Sequence, residues 1–201
     1  FACYERALKI ARQEKDRSNE GMWLDNLGYA YADLGQTARA IEYYEQALVI
    51  SREIGDQRGE GNRLGNLGTV YADLGQTARA IEHYEQALAI VREIGDRRGE
   101  GYSLANLAVA LVDADRCAEA LQCAQESARI GEKTKNPIIG SDGGRILALA
   151  YFCNGDLLVA RAAAEDARRY DAPLCNHAAV ALLGVIALRQ GDRPAAQEAF
   201  T

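Results

Sequence analysis

A forty-residue block occurs twice in immediate succession, Gly21 to Glu60 and Gly61 to Glu100, with 31 of 40 aligned positions identical. The run from Tyr31 to Glu42 returns unbroken from Tyr71 to Glu82. A period this long removes most folds from consideration. Each unit is one supersecondary element that can bury its apolar face only against its neighbours, as in a solenoid. Function in such a chain is expected on a surface and not in a pocket.

Within the block the apolar residues define two helices. Leu24, Leu27, Gly28 and Tyr31 share one stripe at about 100° per residue. Gly35 ends that helix, and Ala40, Ile41, Tyr44, Ala47 and Leu48 make the stripe of a second, which predicts an antiparallel helix pair joined by a short turn. Gly28, Ala40 and Ala47 are small where two helices would cross, and the large residues fill the spaces between crossings. Ile54-Gly55-Asp56, repeated at Ile94-Gly95-Asp96, reads as a helix end, a glycine cap and an N-capping carboxylate for the next helix.

The same frame extends in both directions. Phe1 to Lys15 aligns without a gap on Ile41 to Gly55, so the chain opens on a second helix. Beyond Glu100, Leu104, Leu107 and Leu111 keep the stripe, while Ala108 replaces the glycine and Ala124 the aromatic. Asn136-Pro137 opens a further first helix, with proline where no amide donor is needed. Leu147, Ala148, Tyr151, Gly155, Ala160 and Ala167 then hold the frame, and Leu183, Gly184, Ala187, Gly191, Ala196 and Phe200 begin a last unit. The expected organisation is a single array over 1–201, cut from a longer chain. It comprises the second helix of a truncated repeat at 1–16, repeats at 17–56, 57–96 and 97–135, a degenerate repeat at 136–171 and a truncated repeat at 172–201.

Leu-Gly-x-x-Tyr followed by Ala, an aromatic and Ala resembles the tetratricopeptide repeat, a helix-turn-helix unit of about 34 residues. Here the second helix is longer, and Arg52 and Arg92 stand where that pattern usually has proline. This departure resembles the forty-residue variety of kinesin light chains, of spindle-orientation adaptors and of bacterial NB-ARC (STAND) signalling ATPases. The junction Arg-Glu-Ile-Gly-Asp-x-Arg-Gly-Glu-Gly is most similar to the last group. The resemblance implies an all-α right-handed superhelical solenoid of antiparallel helix pairs, about eleven helices in all, whose first helices line a concave groove.

Composition excludes several kinds of partner. The formal charge is -6, and Lys and Arg are interspersed with Asp and Glu, so no nucleic acid is expected to bind. The longest apolar run, Ala178 to Leu188, is about half the length needed to span a bilayer; no membrane contact and a cytoplasmic location are expected. Cys3, Cys117, Cys123, Cys153 and Cys175 show no CxxC spacing and are expected to be reduced, small apolar residues. Neither cofactor nor metal is expected, and no catalytic constellation is visible. His83 and His177 lie far apart in the array, and Gly140, Gly143 and Gly144 are not followed by the Gly-Lys-Ser/Thr of a phosphate loop.

What remains is the face of each first helix opposite its buried stripe. Met22, Asn26, Tyr29 and Asp33 fall within about 40° of that face, and their counterparts are Asn62, Asn66, Thr69, Asp73 and Tyr102, Asn106, Val109, Asp113. Asparagine disfavours helix interiors, yet it returns as Asn26, Asn66 and Asn106. Its amide offers the donor and acceptor that hold an extended peptide backbone, and the kinesin-type repeats this chain resembles use such a ladder to bind peptides. Duplication alone would also repeat the residue, leaving the amides solvated or interhelical. Asp33, Asp73 and Asp113 form a second column that would favour a basic segment of a partner, or is simply helix-end charge near a turn. In the last two units the face becomes apolar at Ile146, Leu149, Leu182 and Val185, either an anchor for a partner or a face covered by further chain.

The expectation is therefore a noncatalytic scaffold or sensor module of a larger cytoplasmic signalling protein, binding a protein or peptide segment. Its rivals are a self-association scaffold with no distinct ligand, a receptor for a small signalling peptide and, weakest, an enzyme whose site lies outside this sequence. The resemblance to signalling ATPases implies that binding is linked to nucleotide-dependent activation elsewhere in the parent chain.

Overall fold

The computed structural model describes residues 1–167 and 173–199, apart from the side chains of residues 137, 138, 140–142 and 173–178. Phe200 and the side chains of Cys175 and His177 therefore lie outside the described residues. Among the described residues all regular structure is helical, in the order α1 (Ala2–Gln13), α2 (Arg17–Asp33), α3 (Thr37–Ile54), α4 (Gln57–Asp73), α5 (Thr77–Glu93), α6 (Arg97–Asp113), α7 (Cys117–Thr134), α8 (Pro137–Cys153), α9 (Leu157–Ala167), α10 (Pro173–Gln190) and α11 (Arg193–Ala199). This is the all-α solenoid of helix pairs that the repeat requires. No described helix is long and apolar enough to cross a membrane. The chain divides into two compact units, Phe1–Gly99 and Glu100–Thr201.

In the first unit several helix boundaries have a local cause. Asp16 and Asp56 cap α2 and α4, accepting hydrogen bonds from the backbone N–H of Asn19 at 3.0 Å and of Gly59 at 2.9 Å. Asp96 does the same for the first turn of α6 through Gly99 N–H at 3.0 Å. The turn after α2 needs a left-handed residue, and Gly35 supplies it with φ +70°. Lys15 takes the same conformation after α1 without being glycine.

The Leu-Gly-x-x-Tyr motif reduces to one contact. A Cβ on Gly28 would lie 2.7 Å from two ring carbons of Tyr44, and one on Gly68 would lie 2.6 Å from the ring of Tyr84. The glycine of each first helix is thus the seat of the aromatic of the second. In the second unit both partners change together: the corresponding pairs, Ala108 with Ala124 and Ala148 with Ala164, consist of fully buried alanines. Losing the ring leaves space for a methyl.

The arginine that departs from the usual repeat pattern also has a role. Arg52 bonds Glu60 through Nε at 2.7 Å, as Arg12 bonds Glu20 at 2.9 Å, so the ends of α1 and α3 are tied to the first turns of α2 and α4. Glu20 is buried between Arg12 and Arg17, and Arg17 also pairs with Glu53.

In the second unit Gly143 and Gly144 lie at close helix contacts. A Cβ on Gly143 would meet the Ala128 backbone at 3.0 Å, and one on Gly144 would meet Ala167 at 3.1 Å. Asn136 caps α8, accepting from Ile139 N–H at 3.2 Å. The buried hydroxyl of Ser127 donates to the carbonyl of Gly101 at 2.9 Å.

One expectation is corrected here. Cys117, at the start of α7, and Cys153, at the end of α8, are joined in a disulfide, with Cα atoms 5.5 Å apart, whereas Cys3 and Cys123 remain thiols. A separation of 36 residues is one traverse of a helix pair, which returns the chain to where it began. Inspection for short CxxC spacing does not detect such a pair.

Candidate functional site

The first unit presents the outward faces of α2 and α4. On α2, Met22 and Tyr29 are large apolar groups left 41% and 68% exposed, with half-buried Asn26 between them and exposed Asp33 at the helix end. On α4, Asn62, Thr69 and Asp73 are exposed and Asn66 is half-buried. The strip read from periodicity is therefore largely a surface.

Its members do not all face solvent in the same way. Asn66 donates its amide to Asp25 Oδ1 at 3.1 Å, a bond from α4 to α2 that commits one of its donors inside the molecule. Thr69 donates to the Gly65 carbonyl at 3.2 Å and accepts from the Tyr84 hydroxyl at 3.1 Å. Asp33 and Asp73 are the last residues of their helices, where the helix dipole disfavours an anion.

Sequence reasoning missed the group behind this face. The Arg63 side chain is buried beside α2, with Nη1 3.5 Å from Asp56 Oδ2 and Nε 4.0 Å from Asp25 Oδ1. Burial pushes the Asp25 carboxyl above its ordinary pKa, against the opposing effects of the Arg63 charge and the Asn66 bond. Gly59 leaves room for this pair, because a Cβ there would sit 2.0 Å from both Arg63 Nη1 and Asp56 Oδ2 and would displace these side-chain ends. Charged residues in mid-helix read as solvated by default. The signal that marks these two is that they are unique to their copies, Asp25 standing opposite Gly65 and Arg63 opposite Trp23.

The copies differ at nine positions, and three of these, Met22/Asn62, Asp25/Gly65 and Tyr29/Thr69, recur at i, i+3 and i+7 on one face of the first helix. The aromatic side of the pair has diverged too. Tyr43 stacks on Tyr31 at 5.2 Å, while His83 meets Tyr71 edge-on at 5.0 Å with Arg79 over the same ring. Burial, and then the Arg79 charge, hold the His83 imidazole below its ordinary pKa, so it packs as a neutral ring.

In the second unit Asn106 and Asp113 are exposed, and Tyr102 and Val109 are half-buried on α6. The apolar set needs correction. Ile146 is 2% exposed and belongs to the core, Leu149 and Leu182 are half-buried, and of the four only Val185 is exposed. A helix buried on more than one side gives apolar residues at positions that one-sided periodicity assigns to solvent.

The family model described as tetratricopeptide repeat matches residues 1–53 and 62–133, more than half of the chain. Among solved structures, a P. anserina protein described as a kinesin light chain with nearly identical TPR-like repeats is 24% identical, with a TM-score of 0.71 over 88% of this chain and 90% of that one. A signal transduction ATPase with numerous domains from Pyrococcus horikoshii, which carries a tetratricopeptide repeat sensor, is 21% identical, with a TM-score of 0.79 over 98% of this chain and 32% of that one. A Rap protein complexed with competence and sporulation factor is 18% identical, with a TM-score of 0.76 over 90% of this chain and 52% of that one. At these identities the likeness is one of fold. No curated protein sequence matches the chain.

Proposed function

The chain belongs to the tetratricopeptide repeat family, and from that premise we propose that it is a noncatalytic module binding an extended segment of a partner protein on the outward faces of α2 and α4. The observation that carries this reading is the clustering of differences between the two copies. The stripes Leu24-Leu27-Gly28-Tyr31 and Leu64-Leu67-Gly68-Tyr71 are identical, whereas the exposed positions 22 and 29 and their counterparts Asn62 and Thr69 are not. A face free of stacking duties is where two copies can come to recognise different parts of one ligand.

The chemistry of the face suits a peptide. Met22 is an adaptable apolar contact and Tyr29 a rigid amphipathic one, the residue kinds on which binding energy concentrates. Asn26 and Asn62 bring amide donors and acceptors for a peptide backbone, while Asn66 keeps a donor for Asp25. Asp33 and Asp73 add negative charge along the same side, which favours a basic segment. The fold shared with a tetratricopeptide repeat sensor of a signalling ATPase supports placement in a larger cytoplasmic signalling protein, and the fold shared with a peptide-bound Rap protein supports a small signalling peptide as the alternative ligand.

Panning a random peptide display library against the purified chain tests the proposal. Enriched sequences should be rich in Lys and Arg, and the double variant Met22→Ala/Tyr29→Ala should bind them at least about tenfold more weakly with an unchanged Tm. Val49→Ala, at an exposed site on α3, should bind as the parent does. Absence of enrichment, or peptides indifferent to the double variant, overturns the reading. A concentration-dependent dimer lost in the same variant would establish the self-association scaffold in its place.

A further inference from the structure

The point in the second unit where the repeat frame is broken three times over is a candidate metal site. Asp115 stands where the duplicated repeats have Gly35 and Gly75, Cys117 where they have Thr37 and Thr77, and Cys153 where they have Asp33 and Asp73. These positions are far apart in sequence. The fold nevertheless brings one ligand atom from each of the three to within 4.8 Å of the others, at the turn between α6 and α7 and the end of α8. Asp115 Oδ1 lies 3.6 Å from Cys117 Sγ.

A disulfide alone does not account for Asp115. Its backbone adopts φ +59°, a conformation that glycine takes with less strain and that glycine does take at 35 and 75. A carboxylate beside two sulfurs also opposes thiolate formation, so it does nothing to make a fast thiol exchanger of the pair. What two thiolates and a carboxylate do suit together is a borderline-soft divalent cation, whose charge they offset.

We propose that the reduced form of this chain binds one zinc-class cation through Cys117 Sγ, Cys153 Sγ and an Asp115 carboxylate oxygen, with a water molecule in the fourth tetrahedral position. Reduction of the disulfide by a thiol reductant, itself oxidised to a disulfide, delivers two electrons and two protons to the sulfurs. Metal binding then releases those two protons to solvent as the thiolates form. The bonded and metal-bound forms exclude each other, because disulfide sulfurs carry no thiolate charge. Cα atoms 5.5 Å apart leave the sulfurs room to swing to the about 3.8 Å separation that tetrahedral zinc requires. Both forms hold the end of α8 against the start of α7. The exposed position of Asp115 and the half-buried cysteines leave the site open to entry.

The test uses the full chain with Cys3, Cys123 and Cys175 replaced by serine, reduced with a phosphine and titrated anaerobically with cobalt(II). A thiolate-to-cobalt charge-transfer band saturating at one equivalent and bleached by zinc is expected. Cys117→Ser should abolish the band. Asp115→Gly, which restores the residue of the other turns and so keeps the fold, should weaken binding by at least about tenfold, while disulfide formation in air, followed by loss of free thiols, proceeds as in the parent. No band, or a band that Asp115→Gly leaves unchanged, overturns the proposal and leaves a disulfide only.

Discussion

The helix pairs α2–α3 and α4–α5 are built from blocks that share 31 of 40 residues, and none of their nine differences falls on the apolar stripe of either helix. The stripes that stack, Leu24-Leu27-Gly28-Tyr31 and Leu64-Leu67-Gly68-Tyr71, are the same, and so is each glycine's aromatic partner. The outward face of the first helix differs at two exposed places, Met22/Asn62 and Tyr29/Thr69, and the contact of α2 with α4 has gained Asp25 and Arg63, which neither copy holds as a pair by itself. The stripe contacts thus stay the same from copy to copy although the buried residues Ser51 and Val91 differ, while the Asp25–Arg63 pair joins residues that occur in one copy each. An exact array could not place Asp25 on one helix and Arg63 on the next without repeating both in every unit.

The strongest way to break this comparison is at the shared contact. Tyr44→Ala should cost about 3–5 kcal/mol by emptying a buried ring site, and Gly28→Ala about 1–3 kcal/mol by pressing a methyl into that ring. Combined, they recreate the Ala108/Ala124 pairing of the second unit, so the double variant should be at least about 1 kcal/mol more stable than additivity allows. Urea denaturation of the four proteins measures the coupling, and strict additivity would show that the two positions changed together for another reason.

Next in size is the pair that distinguishes the copies. Arg63→Met should cost about 1–3 kcal/mol because Asp25 is left buried without its charge partner, and adding Asp25→Ala should recover part of the loss. A loss below about 0.5 kcal/mol would class Arg63 with ordinary surface charge.

The smallest effect sharpens the comparison of Tyr43 with His83. Because His83 titrates lower in the folded chain than its ordinary 6.5, the unfolded chain takes up the proton first as pH falls. The stability of the neutral ring is therefore whole above about pH 6.5 and declines between there and the lower folded value. His83→Tyr, the residue of the other copy, should flatten the drop in Tm between pH 7.5 and 5, and an equal drop in both proteins would rule out His83 as its source.

Much of this was legible in the residues. The caps at Asp56 and Asp96, the left-handed glycines at 35 and 55 and the helix opening at Asn136-Pro137 are set by local backbone chemistry and were read as such. The site was legible only as a face. Periodicity identified Met22, Tyr29, Asn62 and Asp73 as solvent-facing, and they are exposed. It also offered Ile146, which is buried, and treated Asn26, Asn66 and Asn106 as one ladder although Asn66 is bonded to Asp25.

The sequence by itself determined the unit and its stacking, because a repeat meets the same neighbour every forty residues and each stacking contact is therefore written into the period. Only the tertiary structure decided what happens at positions where the period is broken. Whether Arg63 meets Asp25, whether Asn66 turns inward and whether Cys117, Cys153 and Asp115 converge depend on which side chain the next helix happens to present. One helix's pattern fixes the direction in which a residue points but not what it meets there.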